Sequence, residues 1–132
     1  MDRGMIKRLI MEARTAQQKA YAPYSHFSVG AAAWGADGII YTGCNVENAS
    51  YGLSLCAERN AMFHGVSCGC HEFPVLAIAG DSEDYTFPCG ACLQVMTEFH
   101  VESIILTKPD NTFKMVTLHD LLPYSFDSQS LK

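Results

Sequence analysis

Charge is scarce in this chain, and positive charge is scarcer still. Only 17% of the 132 residues are Asp, Glu, Lys or Arg, and nine basic against fourteen acidic residues leave a formal net charge of −5. No block or stripe of Lys and Arg occurs. Polynucleotide binding draws much of its affinity from neutralised phosphates, so a nucleic-acid partner is disfavoured and a small uncharged ligand is expected. Long apolar runs are missing too, which argues against a membrane-spanning helix. The start, Met1-Asp2-Arg3-Gly4-Met5-Ile6-Lys7-Arg8, puts charges where a leader needs apolar residues. No targeting segment is therefore expected, and the cytoplasm is the expected compartment. Internal repeats, low-complexity segments and linkers are also lacking, so one domain over residues 1–132 is expected.

Apolar residues, by contrast, make up 48% of the chain. A short chain has a high surface-to-volume ratio, so part of that content is expected in a subunit interface. Six cysteines are also present. Without a leader they point to metal or thiol chemistry rather than a disulfide framework.

Periodicity supplies the elements. Asp2 is placed to cap a helix in which Ile6, Leu9, Ile10, Ala13, Ala16 and Ala20 recur at helical spacing, and Ala22-Pro23-Tyr24 ends it. Residues 27–34 and 39–46 read as strands joined at an Asp37-Gly38 turn, with Gly30 to Ala33 marking a close packing point. Residues 45–51 form a polar loop and residues 55–66 a helix. Residues 73–79 are continuously apolar, as in a strand covered on both faces. After a loop over 80–88, residues 89–99 read as a helix. Strands at 103–107 and 112–116 flank Pro109-Asp110-Asn111. Thr117 caps a short last helix stopped by Pro123, and the polar tail after Phe126 is expected to fray. The order α-β-β-α-β-α-β-β-α argues for an α/β fold. A three-layer α/β/α sandwich around a mixed five-stranded sheet is expected.

The chemistry concentrates at two helix starts, Cys56-Ala57-Glu58 and Pro88-Cys89-Gly90-Ala91-Cys92. One helix, one strand and one loop separate them, a path that returns the chain to the carboxyl edge of the sheet, where ligand sites form. Each helix start carries roughly +0.5 charge and unpaired N–H groups, which favour thiolates. Cys89 and Cys92 share a helical face, and Cys56 offers a third sulfur. Three protein ligands leave a tetrahedral zinc one open position, the mark of a catalytic site. Glu58, two residues past Cys56, is placed to reach that position as a proton shuttle. Taken singly, a C-x-x-C is often a redox dithiol, and a Glu near a helix start often only complements the dipole. Together they follow a known signature of zinc deaminases, three Cys or His/Cys/Cys ligands with a Glu that is not a ligand. Cys68-Gly69-Cys70-His71 is read as a turn with incidental thiols, and Cys44 as a core residue.

Five ordered blocks resemble the cytidine deaminase family in its short homotetrameric, zinc-dependent form. They are Tyr21-Ala22-Pro23-Tyr24-Ser25, Phe27-Ser28-Val29-Gly30-Ala31-Ala32, Asn45-Val46-Glu47-Asn48-Ala49-Ser50-Tyr51, Cys56-Ala57-Glu58-Arg59 and Pro88-Cys89-Gly90-Ala91-Cys92. The ending Leu121-Leu122-Pro123-Tyr124-Ser125-Phe126 is similar as well. The resemblance implies one zinc ion per subunit and hydrolysis of cytidine and 2′-deoxycytidine to uridine and deoxyuridine, with ammonia released, in pyrimidine salvage. It implies that Phe27 packs on the base, that Asn45 and Glu47 bind the ribose hydroxyls and that the Ala57 backbone reads the base. Tyr51 and Phe126 would complete a neighbouring subunit's site in a homotetramer. A related deaminase of another small nucleoside or aminopyrimidine, or a non-catalytic zinc-binding relative, remains an alternative. In one departure, many members carry Arg directly after the second cysteine of the pair, where this chain has Leu93. Three thiolates outweigh the charge of Zn²⁺, so Arg59, one turn past Cys56, is expected to carry more of the compensation.

Overall fold

The computed structural model describes residues 1–132. Helix α1 (Arg3–Gln17) begins where expected, because the Asp2 carboxylate accepts the Met5 N–H at 2.8 Å. Strands β1 (Val29–Trp34) and β2 (Ile40–Cys44) form a hairpin. Its turn uses Gly38 at φ 85°, a conformation that costs glycine least. Helix α2 (Ala57–Ser67), β3 (Val75–Gly80), helix α3 (Gly90–Glu98), β4 (Ser103–Thr107), β5 (Phe113–Thr117) and α4 (Leu118–Leu121) follow. The five strands lie in the order β2-β1-β3-β4-β5, with β3–β4 parallel and every other pair antiparallel. This is the mixed sheet the pattern implied.

Period-two alternation divides the central strands between two cores. Ala32, Ala77, Ala79 and Ile105 face α1 through Ile6, Leu9, Ile10 and Ala13. Ala31, Ala33, Leu76, Ile78, Ile104 and Leu106 face the opposite way and pack with α2 and α3 through Met62, Leu93 and Met96. All six β3 residues are buried, which explains the unbroken apolar run. The result is three layers, with α1 on one face and α2 and α3 on the other. No helix is long and apolar enough to cross a membrane.

Several boundaries differ from the periodic reading. Strand β1 starts at Val29 rather than Phe27, because side chains and not a neighbouring strand hold residues 27 and 28. Strand β2 stops at Cys44, and Val46 instead makes single bridges to Tyr21 and Leu55. Cys44 is not a core residue. It sits half-buried at the strand end, with its thiol on the Lys19 carbonyl at 3.4 Å. The tail forms a 3₁₀ turn over Ser128–Leu131, capped by Asp127, instead of fraying at once. A second 3₁₀ turn, Tyr51–Leu53, interrupts the polar loop before α2. The Cys68-to-Cys70 segment is the expected turn, with Gly69 at φ 97°.

Candidate active site

The two cysteine-bearing helix starts meet. Cys56 is the N-cap of α2 and Cys89 the N-cap of α3. Neither thiol makes the usual capping bond to its own helix, so both sulfurs are free to point outward. Cys92 lies within the first turn of α3 and is fully buried. The three Sγ atoms fall within 4.8 Å of one another.

This donor set fits a tetrahedral zinc. A Zn–S bond of about 2.3 Å gives a sulfur–sulfur edge of roughly 3.8 Å. Cys56 Sγ and Cys89 Sγ are 3.7 Å apart. Soft thiolates also suit zinc over magnesium or calcium. No carboxylate or histidine joins the cluster, so three ligands come from the protein.

The electrostatics suit a cation as well. The Cys56 thiol is pulled down to about 5, chiefly by a hydrogen bond from Cys92 and also by bonds from Arg59 and Cys89, while burial opposes the shift. The Arg59 guanidinium donates through Nη2 to Cys56 Sγ at 3.3 Å. Cys92 moves the other way. Its bond to Cys56, its burial and the nearby Glu58 carboxylate all hold its proton on. Three adjacent thiolates repel, and only a cation between them lets all three ionise together.

Glu58 is 4% exposed, one residue into α2. Burial pushes its carboxyl up to about 7, and the charge on Cys56 adds to the rise. A carboxyl near neutrality can both take and give a proton at working pH. It lines a cleft of about 310 Å³ together with Cys56, Cys89 and Ala57. Phe27, Asn45 and Glu47 line the same cleft, so the structure brings together all the expected base, ribose and shuttle positions. No lysine or arginine lines it.

Asn45 and Glu47 each have a second task. Asn45 donates through Nδ2 to the Phe27 carbonyl at 2.7 Å and accepts the Val29 N–H at 2.9 Å. Glu47 accepts the Tyr24 and Ser25 N–H groups and the Ser25 hydroxyl. An amide has a second N–H and a second lone pair, and a carboxylate about four acceptor sites, so both side chains keep capacity for a ligand.

Two expected positions are not brought in. Tyr51 is 76% exposed and packs edge-on against Tyr24, in a hollow beside the cleft. Phe126 is 59% exposed, and its carbonyl accepts from Gln94 on α3. Thr86 and Phe87 line the cleft but were not singled out from sequence. Their only signal is adjacency to Pro88-Cys89. Leu93 is buried in the core between α3 and the sheet, so it brings no charge near the sulfurs.

Comparison with known proteins agrees with this geometry. The family model for the cytidine and deoxycytidylate deaminase zinc-binding region matches residues 4–108. A cytidine deaminase of Sporosarcina psychrophila is 44% identical over 128 residues, covering 96% of this chain and 94% of that protein. The chain belongs to the cytidine deaminase family. A probable cytidine deaminase of Dictyostelium discoideum is also 44% identical, covering 99% of this chain and 90% of that protein. The crystal structure of cytidine deaminase from Burkholderia pseudomallei superposes with a TM-score of 0.88 at 43% identity. It covers 96% of this chain and all of that one. The fold and the zinc site are therefore those of this deaminase family.

Proposed function

We propose that the chain is a single catalytic domain, residues 1–132, that hydrolyses cytidine and 2′-deoxycytidine to the uracil nucleosides and ammonia. The observation that carries this reading is one cleft lined by Cys56 and Cys89 of the sulfur cluster, the buried Glu58 carboxyl and the Asn45/Glu47 pair. The names of the relatives point to the same substrate.

Cys56, Cys89 and Cys92 hold the metal, which when bound supplies a Lewis acid that makes a water more acidic and more nucleophilic. Glu58 takes a proton from the attacking water and delivers it to ring N3, which makes C4 electrophilic. It then moves a proton to the exocyclic nitrogen, which leaves as ammonia. Phe27 packs on the base, and the Ala57 backbone, at the first turn of α2, reads its edge. Asn45 and Glu47 bind the ribose hydroxyls with their remaining donors and acceptors. Arg59 offsets part of the negative charge of the three sulfurs.

Cleft charge favours a free nucleoside over a nucleotide. Its titratable lining apart from the thiols is Glu47 and Glu58, with no cation to meet a 5′-phosphate. A phosphate brought there meets like charge, at a cost of several kcal/mol. Cytidine should therefore exceed cytidine 5′-monophosphate in kcat/KM by at least about a hundredfold. Equal kcat/KM for the two removes the nucleoside reading.

The assembly we propose is a homotetramer in which Tyr51 and Phe126 complete a neighbouring site. Tyr51, Leu53, Phe87 and Phe126 are all more than half exposed, apolar surface of the kind that a subunit contact covers. Mass in solution tests it. Action on a small metabolite fits a cytoplasmic role in pyrimidine salvage.

A further inference from the structure

The Phe27-Ser28-Val29 segment is held almost entirely by side chains. His26 just before it is in the left-handed region at φ 56°, and β1 begins only at Val29. Residues 27 and 28 thus lie outside the sheet ladder. Yet every backbone polar group from 27 to 29 has a partner. The Phe27 N–H donates to Ser25 Oγ at 3.0 Å, and its carbonyl accepts from Asn45. The Val29 N–H donates to Asn45 Oδ1, and its carbonyl accepts the Asn45 N–H at 3.1 Å.

Ser28 is held from the other side. Its N–H donates to Asp81 Oδ2 at 2.7 Å, and its carbonyl accepts from Gln17 Nε2 at 3.0 Å. Gln17 Nε2 also donates to Asp81 Oδ1 at 2.9 Å, which closes a ring around the Ser28 peptide groups. Arg14 fixes the ring from behind, donating to Gln17 Oε1 at 2.9 Å and to the Gly80 carbonyl at 3.1 Å. Asp81 is exposed and does not line the cleft, whereas Phe27 does.

We propose that Asp81, with Gln17, is a positioning residue that sets the Phe27 ring in the cleft by clamping the Ser28 peptide. The proposal rests on the reading that Phe27 packs on the base. Loss of Asp81 leaves the Ser28 N–H without its charged acceptor and Gln17 without its second partner, so only the Gln17 bond to the Ser28 carbonyl still holds that residue. The ring then samples several placements, which weakens nucleoside binding and leaves the zinc and Glu58 as they are.

A double-mutant cycle on cytidine kinetics tests this. Asp81→Ala should raise KM about tenfold, the equivalent of one charge-assisted hydrogen bond, with kcat within about twofold and zinc still at one per chain. In a Phe27→Ala background the same substitution should change KM by less than about twofold. Asp81→Asn keeps an oxygen for the Ser28 amide and should recover most of the affinity. If Asp81→Ala fails to fold, Gln17→Ala takes its place in the cycle, with a smaller rise in KM. Equal KM factors in both Phe27 backgrounds, or an unchanged KM in the zinc-loaded single variant, overturn the positioning role alone. An unchanged KM in Phe27→Ala overturns both this proposal and the base-packing reading.

Discussion

Gly43→Ala is the substitution that most sharply tests how the fold holds the metal site. Gly43 lies on β2 directly beneath the first turns of α2. A Cβ built there would sit 2.3 Å from the Ala61 nitrogen, 2.7 Å from the Ala57 carbonyl oxygen and 2.8 Å from the Asn60 carbonyl carbon. All three are helix backbone atoms, so no side chain can swing aside. Ordinary contact begins near 3.4 Å, so α2 must retreat by roughly 1 Å. Overpacking of this kind costs about 1–3 kcal/mol, which corresponds to a fall in Tm of roughly 5–10 °C for a chain of this size. The retreat shifts Cys56, the N-cap of the same helix, relative to α3. The 3.7 Å sulfur–sulfur edge, close to the roughly 3.8 Å of a tetrahedral zinc site, is then disturbed. Metal analysis and thermal denaturation of the purified variant should show zinc well below one per chain and a lowered Tm. Gly52→Ala is the control, because nothing lies within 4 Å of its added Cβ. Wild-type Tm and full zinc in Gly43→Ala would refute the argument that this close approach sets the Cys56 position.

Other outcomes follow from the same geometry. Arg59→Ala removes the donor 3.3 Å from Cys56 Sγ and should weaken zinc binding about tenfold or more in a competitive chelator titration, because Leu93 supplies no substitute charge. Unchanged affinity would contradict the compensation role. The Glu47 carboxyl is held below its ordinary 4.5 by the Ser25 hydroxyl, the Ser25 N–H and the Tyr24 N–H. Its contribution to stability is therefore present above that ordinary value and lost as pH falls through the lower folded value. Ser25→Ala should move that loss to higher pH, read by NMR titration of the Glu47 carboxyl. Removal of zinc by a chelator should abolish turnover and lower Tm, and added zinc should restore both.

Much of the fold was legible because the signals were local. Asp2 announced α1, the apolar run announced β3, and the cysteines at two helix starts announced the site. What was not legible depends on distant partners. Phe27 and Ser28 look like strand residues, but Asn45 and Asp81, far along the chain, replace the ladder there. Cys44 looks like a core strand residue, but the strand ends at it and its thiol turns to the Lys19 carbonyl. Thr86 and Phe87 sit in an irregular loop with no periodicity, so only its fold back over the cleft reveals them. The second tasks of Asn45 and Glu47 are likewise invisible until the Tyr24-to-Val29 backbone is seen against them.

We propose that the Cys56/Cys89/Cys92 centre and the Glu58 carboxyl together deaminate a free cytosine nucleoside. The most direct measurement follows cytidine with the zinc-loaded protein and with a zinc-loaded Glu58→Gln variant, quantifying uridine and ammonia. The wild type should yield uridine and ammonia in equal amounts, and turnover in the variant should be lower by about 10²–10⁴ at unchanged zinc content. A zinc-loaded wild type that converts no cytosine nucleoside, or a variant that turns over as fast, would contradict it.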